Sequence, residues 1–110
     1  LKELLQKEES EELNIVLAPL GQEEQQSCFY LMNQIRKLGI ACDMAYEKND
    51  LKFHLKRASK LNASHTIILG QEEYDSQTVI VKDMKKRTQE TLPIKQLVSH
   101  LQKINNGKQN

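Results

Sequence analysis

Residues 65–83 read HTIILGQEEYDSQTVIVKD. A wholly apolar run stops at Gly70, then come Gln71, Glu72, Glu73 and Tyr74, and the next apolar run closes on Lys82. Carboxylates in such a setting accept hydrogen bonds from base amino and imino groups once a base leaves its stack. A lysine nearby would hold phosphates. Tyr74, Tyr46 and Phe53 offer faces on which bases stack, worth ~1–3 kcal/mol per base where used. Composition alone favours the plainer account, with Glu72 and Glu73 as turn residues and Tyr74 as a packing residue at the rim.

Other chemistries fare worse. Gly21 stands alone, with no GxGxxG or GKS/T after it, and Glu23 and Glu24 fill the helical turn where an anion would need positive potential. A nucleotide-cofactor loop is therefore not expected. His54, His65 and His100 fall on separate elements without metal-ligand spacing, and each reads as structural. Cys28 lies on the buried stripe of its helix, where a thiol is unreactive. No aspartate ends the first or third apolar strand, which excludes a receiver-type phospho-acceptor. The chain carries no recognisable catalytic set.

The elements that must position the acidic stretch follow from periodicity. NIVLAP (14–19) is a short apolar strand ended by Pro19. QEEQQSCFYLMNQIRKL then puts Cys28, Leu31, Met32, Ile35 and Leu38 on one helical face, and Gly39 stops it. IACDMAY (40–46) is a second strand. Asp50 caps LKFHLKRASKL, whose buried stripe is expected at Leu51, Leu55, Ala58 and Leu61. HTIILG is a third strand, apolar at its centre as a buried parallel strand should be.

QTVIVKDM (77–84) follows with no room for a helix, so it should pair antiparallel. RTQETL (87–92) returns after a tight turn at Lys85 and Lys86. Pro93 opens a last helix with Ile94, Leu97, Val98, Leu101 and Ile104 on one face. The expected fold is α/β in three layers. A mixed five-stranded sheet of order 2-1-3-4-5, its fourth strand antiparallel, carries helices on both faces. The topological switch lies between the first and third strands, where open α/β sheets bind ligands. Pro19-Leu20-Gly21 and Gly70-Gln71-Glu72-Glu73 meet there. No internal repeat is expected.

The 110 residues suit one domain, and a net charge of +1 conceals an uneven distribution. Residues 1–24 hold seven acids against Lys2 and Lys7, a balance of −5. Residues 48–60 stand at +4 and residues 82–87 at +3, so a polyanion could approach one face only. Lys52, Lys56 and Lys60 repeat every four residues and share one helical face, which suits phosphate contact. Cys28 and Cys42 have no CxxC spacing and read as buried thiols of a reducing compartment. With no apolar stretch near ~18 residues and no secretory signal, a cytoplasmic location is expected and a membrane partner is not. Residues 1–13 read as the end of a preceding helix and a linker, 14–104 as the domain, and 105–110 as a disordered tail.

The stretches NIVLAPLGQEEQQSCFYLMNQIRKLGIACDM and LKFHLKRASKLNASHTIILGQEEYDSQTVIVKDMKKRTQETLPIKQLVSHL resemble the C-terminal anticodon-binding domain of histidyl-tRNA synthetase. In order, the shared features are PLG after the first strand, LGI before the second, LKxxLKxAxKL, IILGxEE, VxVKDM and QETxPxxxLxxHL. They cover residues 14–101. The resemblance implies an anticodon-binding-domain fold and a parent class II aminoacyl-tRNA synthetase. Such an enzyme is a homodimer that attaches histidine to its tRNA with ATP and Mg²⁺. It also implies that Glu73 reads an anticodon base and that Lys82 assists, with Gln71, Glu72, Tyr74, Leu20 and Gly21 around them. The class II catalytic motifs are absent, so no cofactor is expected in this domain, and the chain alone should not aminoacylate. The competing expectation is a protein-interaction or regulatory module on the same fold, from a synthetase paralogue that no longer charges tRNA.

Overall fold

The computed structural model describes residues 13–46 and 48–109, for 106–109 the backbone alone. The expected helix end and linker at 1–13 lie outside these residues except for Leu13, which is buried in the core. The elements in chain order are β1 (Asn14–Pro19), α1 (Gln22–Lys37), β2 (Ala41–Met44), α2 (Leu51–Lys60) and β3 (His65–Leu69). They continue as α3 (Gln71–Ser76), β4 (Thr78–Asp83), β5 (Thr88–Pro93) and α4 (Ile94–Gln109).

The sheet order is β2-β1-β3-β4-β5, as the alternation of elements predicts. β1 runs parallel to β2 and β3, with Leu17 beside Met44 and Ile67. β4 is antiparallel to both of its neighbours. Alternation along the strands divides the core between two faces. Ile15 and Leu17 of β1, Ile67 and Leu69 of β3, and Val79 and Val81 of β4 share one face. They pack against Cys28, Leu31, Met32 and Ile35 of α1 and Leu97 and Leu101 of α4. The opposite layer is thinner: α2 lies across β1 and β3, with Val16 against Ala58 and Ala63.

Several boundaries differ from expectation, each for a physical reason. A short helix, α3, does fit between β3 and β4. Its six residues are closed by Gln77 at φ 59°, a left-handed conformation that turns the chain back into an antiparallel strand. The buried side of α2 is formed by His54 and Ala58, while Leu51 and Leu61 are 38% and 41% exposed. The leucine stripe is thus displaced around the helix, and small Ala58 lets the helix lie close to β1. Asp50 occupies the N-cap of α2, but its carboxylate makes no capping hydrogen bond.

β2 is only four residues long. Pro93 ends the edge strand β5 opposite Thr78 instead of opening a helix, a place where a missing donor costs nothing. α4 continues to Gln109, past the point where a disordered tail was expected. The Lys85–Lys86 turn is held by Asp83, whose Oδ1 accepts from both backbone amides at 3.0 Å. Burial alone would raise the Asp83 carboxyl, but those amides and the nearby charges of His65 and Lys86 hold it below the usual range.

Candidate nucleic-acid interface

The switch between β1 and β3 is built from one pentapeptide used twice. Leu20-Gly21-Gln22-Glu23-Glu24 and Leu69-Gly70-Gln71-Glu72-Glu73 are both LGQEE, so the expectation of no internal repeat is corrected. Each copy carries a parallel strand into the start of a helix. The Leu20 amide donates to the Leu69 carbonyl at 3.0 Å, which joins the two exits.

In each copy the last glutamate folds back over its glycine. The Gly70 amide donates to Glu73 Oε1 at 2.9 Å, the carboxylate half of a capping box. Glu24 is 6% exposed and packs so close to Gly21 that a Cβ there would collide with its carboxylate. A Cβ at Gly70 would stand 2.8 Å from Glu73 Oε1 and 3.3 Å from Leu20 Cδ1. The two carboxylates thereby take the place an anion would occupy at these helix starts. Phosphate binding at the switch is closed off by the chain itself.

What faces outward is polar and acidic. Gln71 and Glu72 are exposed, and Leu20, Gly21 and Glu73 are half-buried around them. These five residues come together as the sequence led one to expect. Tyr74 is half-buried and packs against the main core, so its ring is committed to packing.

Lys82 is not part of this end. Because β4 runs antiparallel, Lys82 lies opposite Thr66 and Gln89, on the far side of the sheet from Gly70. Four strand steps from Thr66 to Gly70 separate it from the switch by about 13 Å. The resemblance pairs Lys82, near the end of β4, with Glu73; the antiparallel register sets its backbone toward the other end of the sheet. Lys52, Lys56 and Lys60 are all exposed along α2, away from buried His54 and Ala58.

The loop after β2 and the first turn of α2 supply the other aromatic groups. Phe53 meets His54 edge-on at 5.4 Å, and Lys48 Nζ sits 5.5 Å from its ring centre, so that ring is already engaged. Tyr46 is 54% exposed. Gln25 Nε2 donates to Asn49 Oδ1 at 2.8 Å and to the Tyr46 carbonyl at 3.4 Å, tying this loop to α1. Phe29, which sequence reasoning passed over, is 49% exposed on α1 near the same loop. Its position outside the Cys28–Leu31–Met32–Ile35 stripe was the available signal.

Behind these groups lie buried titratable side chains. His54 is fully buried, and among the described residues neither ring nitrogen has a hydrogen-bond partner. Burial lowers its pKa; the nearby backbone of Lys48 and Pro19 opposes this without closing a well-formed bond. Burial pushes Cys28 up to about 12, reinforced by Cys42 and Glu24. Burial likewise pushes Cys42 up to about 12, against the Arg36 charge. Asp43 would be raised by burial, but the 2.8 Å Arg57 contact, the Met44 amide and Arg36 hold it below the usual range. No group of three or more metal-ligating side chains occurs among the described residues. None of their helices is long and apolar enough to cross a membrane.

An open 2-1-3-4-5 sheet with carboxylates and amides at its switch defines a class, and comparison with known proteins gives the same one. A family model described as "Anticodon binding domain" matches residues 14–104, and the chain belongs to that family. The curated relatives it resembles include histidine–tRNA ligases. It is 33% identical to the enzyme of Staphylococcus haemolyticus over 93 residues, 84% of this chain and 22% of that protein. It is 36% identical to the enzyme of Corynebacterium efficiens over 83 residues, 76% of this chain and 19% of that one. The apo S. aureus histidyl-tRNA synthetase structure superposes with a TM-score of 0.75 at 28% identity, covering 83% of this chain and 27% of that chain. The RNA-binding domain of Cryptosporidium parvum threonyl-tRNA synthetase, 15% identical with a TM-score of 0.72, shares the fold. The chain thus spans about a fifth of the curated relatives it matches.

Proposed function

We propose that this chain recognises the anticodon arm of histidine tRNA, as the anticodon-binding part of a histidine–tRNA ligase. The observation that carries the reading is the meeting of Glu72, Glu73 and Gln71 at the β1/β3 switch of a chain belonging to the anticodon-binding family. Glu73 spends Oε1 on the Gly70 amide, which fixes its carboxylate and leaves the second oxygen to accept from a base edge. Gln71 and Glu72 stand exposed beside it as further partners. Lys82, remote from Glu73, would serve the phosphate backbone together with Lys52, Lys56 and Lys60.

Among the described residues, the helix starts at the switch do not suit a triphosphate. Glu24 and Glu73 block the helix starts where a triphosphate would rest, and no cluster of three metal ligands occurs among the described residues. On this reading the charging reaction, the homodimer contacts and the use of ATP belong to other parts of such an enzyme, working in the cytoplasm.

The test is titration with a histidine-tRNA anticodon stem-loop and with one of scrambled anticodon, at two salt concentrations. Preference for the cognate loop that survives the higher salt supports base reading. Equal binding that vanishes with salt would reduce the chain to a phosphate binder. No binding to either would favour a docking module on the same fold.

A further inference from the structure

At the end of the sheet remote from Gly70, a cavity of about 650 Å³ opens between the β4–β5 turn, the start of β3 and α4. We propose that it binds a small organic carboxylate, whose anionic head meets Lys85 and Lys86 and whose apolar body lies on Val81 and Ile104. The inference is independent of the anticodon-arm reading, which concerns the other end of the strands.

The charges of the cavity select this ligand. Both carboxylates in its wall are already matched by imidazoles. Asp83 Oδ2 faces His65 Nε2 at 3.7 Å, and Glu90 Oε2 faces His100 Nε2 at 3.3 Å. Lys85 and Lys86 are exposed, and neither ammonium forms an ion pair among the described residues. The unmatched charge is therefore positive. A cation is repelled by the two lysines, and an RNA backbone would bring successive phosphates past Asp83 and Glu90. A single carboxylate meets the lysines without that cost.

The depth of the cavity is apolar. Val81 is buried on the face that α4 covers, and Ile104 is half-buried beside it. The volume lies within the range of about 300–1,000 Å³ usual for small-molecule sites. The walls are also preformed. Asp83 Oδ1 holds the lysine turn through the Lys85 and Lys86 amides. The Met84 amide donates to the Ser64 carbonyl at 2.9 Å, and Ser64 Oγ accepts from the Asn14 amide at 2.9 Å. The turn and the start of β3 are thus joined before a ligand arrives, so binding orders little.

The experiment is a titration of the chain with phenylacetate, followed by NMR at the Ile104 methyl groups and the His65 and His100 rings. Phenylacetamide, acetate and inorganic phosphate serve as comparisons. Saturable shifts are expected with phenylacetate, and binding roughly 10-fold weaker with the neutral amide and with acetate. Replacing both lysines (Lys85→Ala with Lys86→Ala) should weaken phenylacetate binding roughly 10-fold. Backbone amides, not lysine side chains, hold the turn, so this variant keeps its fold, and the wild-type comparison needs no variant at all. Absence of saturable shifts with phenylacetate would overturn the proposal, as would equal binding of acid and amide or an unaffected double variant. Phosphate binding as tight as phenylacetate would overturn it too, reducing the turn to a plain anion contact.

Discussion

The Leu20 amide donates to the Leu69 carbonyl at 3.0 Å, so two copies of LGQEE leave adjacent parallel strands side by side. This contact closes the sheet at its switch and fixes the spacing of everything presented there. Each exit is then completed by its own glutamate folded onto its own glycine. The second exit is fixed further by the Gly70 amide bond to Glu73, which the first does not share.

Glu73 has a structural task that can be separated from base reading. Its Oε1 accepts from the Gly70 amide at 2.9 Å, and glutamine can fill the same capping role. Glu73→Ala should cost about 1 kcal/mol and lower Tm by roughly 4–6 °C. Glu73→Gln should leave Tm almost unchanged while weakening cognate RNA binding. Gly70→Ala pushes a Cβ against the same carboxylate oxygen, so its loss and that of Glu73→Ala should not add. Thermal melts of the three variants and the double variant decide this.

Much of this arrangement was legible in the residues. Buried apolar runs at 14–19 and 65–69 and a helix-free composition near 78–92 gave the strand order, and the glycines marked the strand exits. What escaped were relations of direction and phase. Lys82 comes near the end of its strand in the sequence but lies toward the other end of the sheet from Gly70, because an antiparallel strand reverses its ends. His54 displaced the leucines from the buried side of α2, since a rotation of one residue, about 100°, changes which face looks inward. A residue such as Tyr74 looks available for stacking until its neighbours in the core are known. The repeated LGQEE was present in the sequence all along; its meaning depends on β1 and β3 being adjacent, which chain order does not show.

The two thiols should report on unfolding alone. Burial first of all pushes Cys28 and Cys42 up to about 12, and both are free. At pH 8 their thiolate content is lower than that of an exposed cysteine by roughly three orders of magnitude. Reaction with an aromatic disulfide reagent should therefore be slow in buffer. In a urea series it should rise along the same curve as the circular dichroism transition. Fast modification of folded protein would contradict the packing of α1 on the sheet.

His54 should make stability depend on pH near neutrality. Burial lowers its folded pKa below the ordinary value of 6.5, so the unfolded chain takes up the proton first as pH falls. Its stabilising contribution is complete above the unfolded pKa and is lost as pH drops through it towards the folded value. The loss cannot exceed about 1.4 kcal/mol per pH unit. Urea unfolding at pH 7.5 and 5.5 should show it, and His54→Leu should remove it. His65 and His100 remain in both proteins, so the difference between the two pH profiles isolates His54.

The lysines of α2 give a prediction of a different kind. Lys52, Lys56 and Lys60 are exposed on one helical face of α2, which covers the opposite face of the sheet from α1 and α4. If each meets a phosphate, alanine at each position should flatten the salt dependence of stem-loop binding by about 0.7–1 in log–log slope. Affinity should fall for cognate and scrambled loops by the same factor, because phosphates carry no sequence. Cognate preference, set at Glu73, should survive the triple substitution. An unchanged slope would mean that this face is merely solvated, and the phosphate contacts would then have to come from Lys82 and the turn at Lys85 and Lys86.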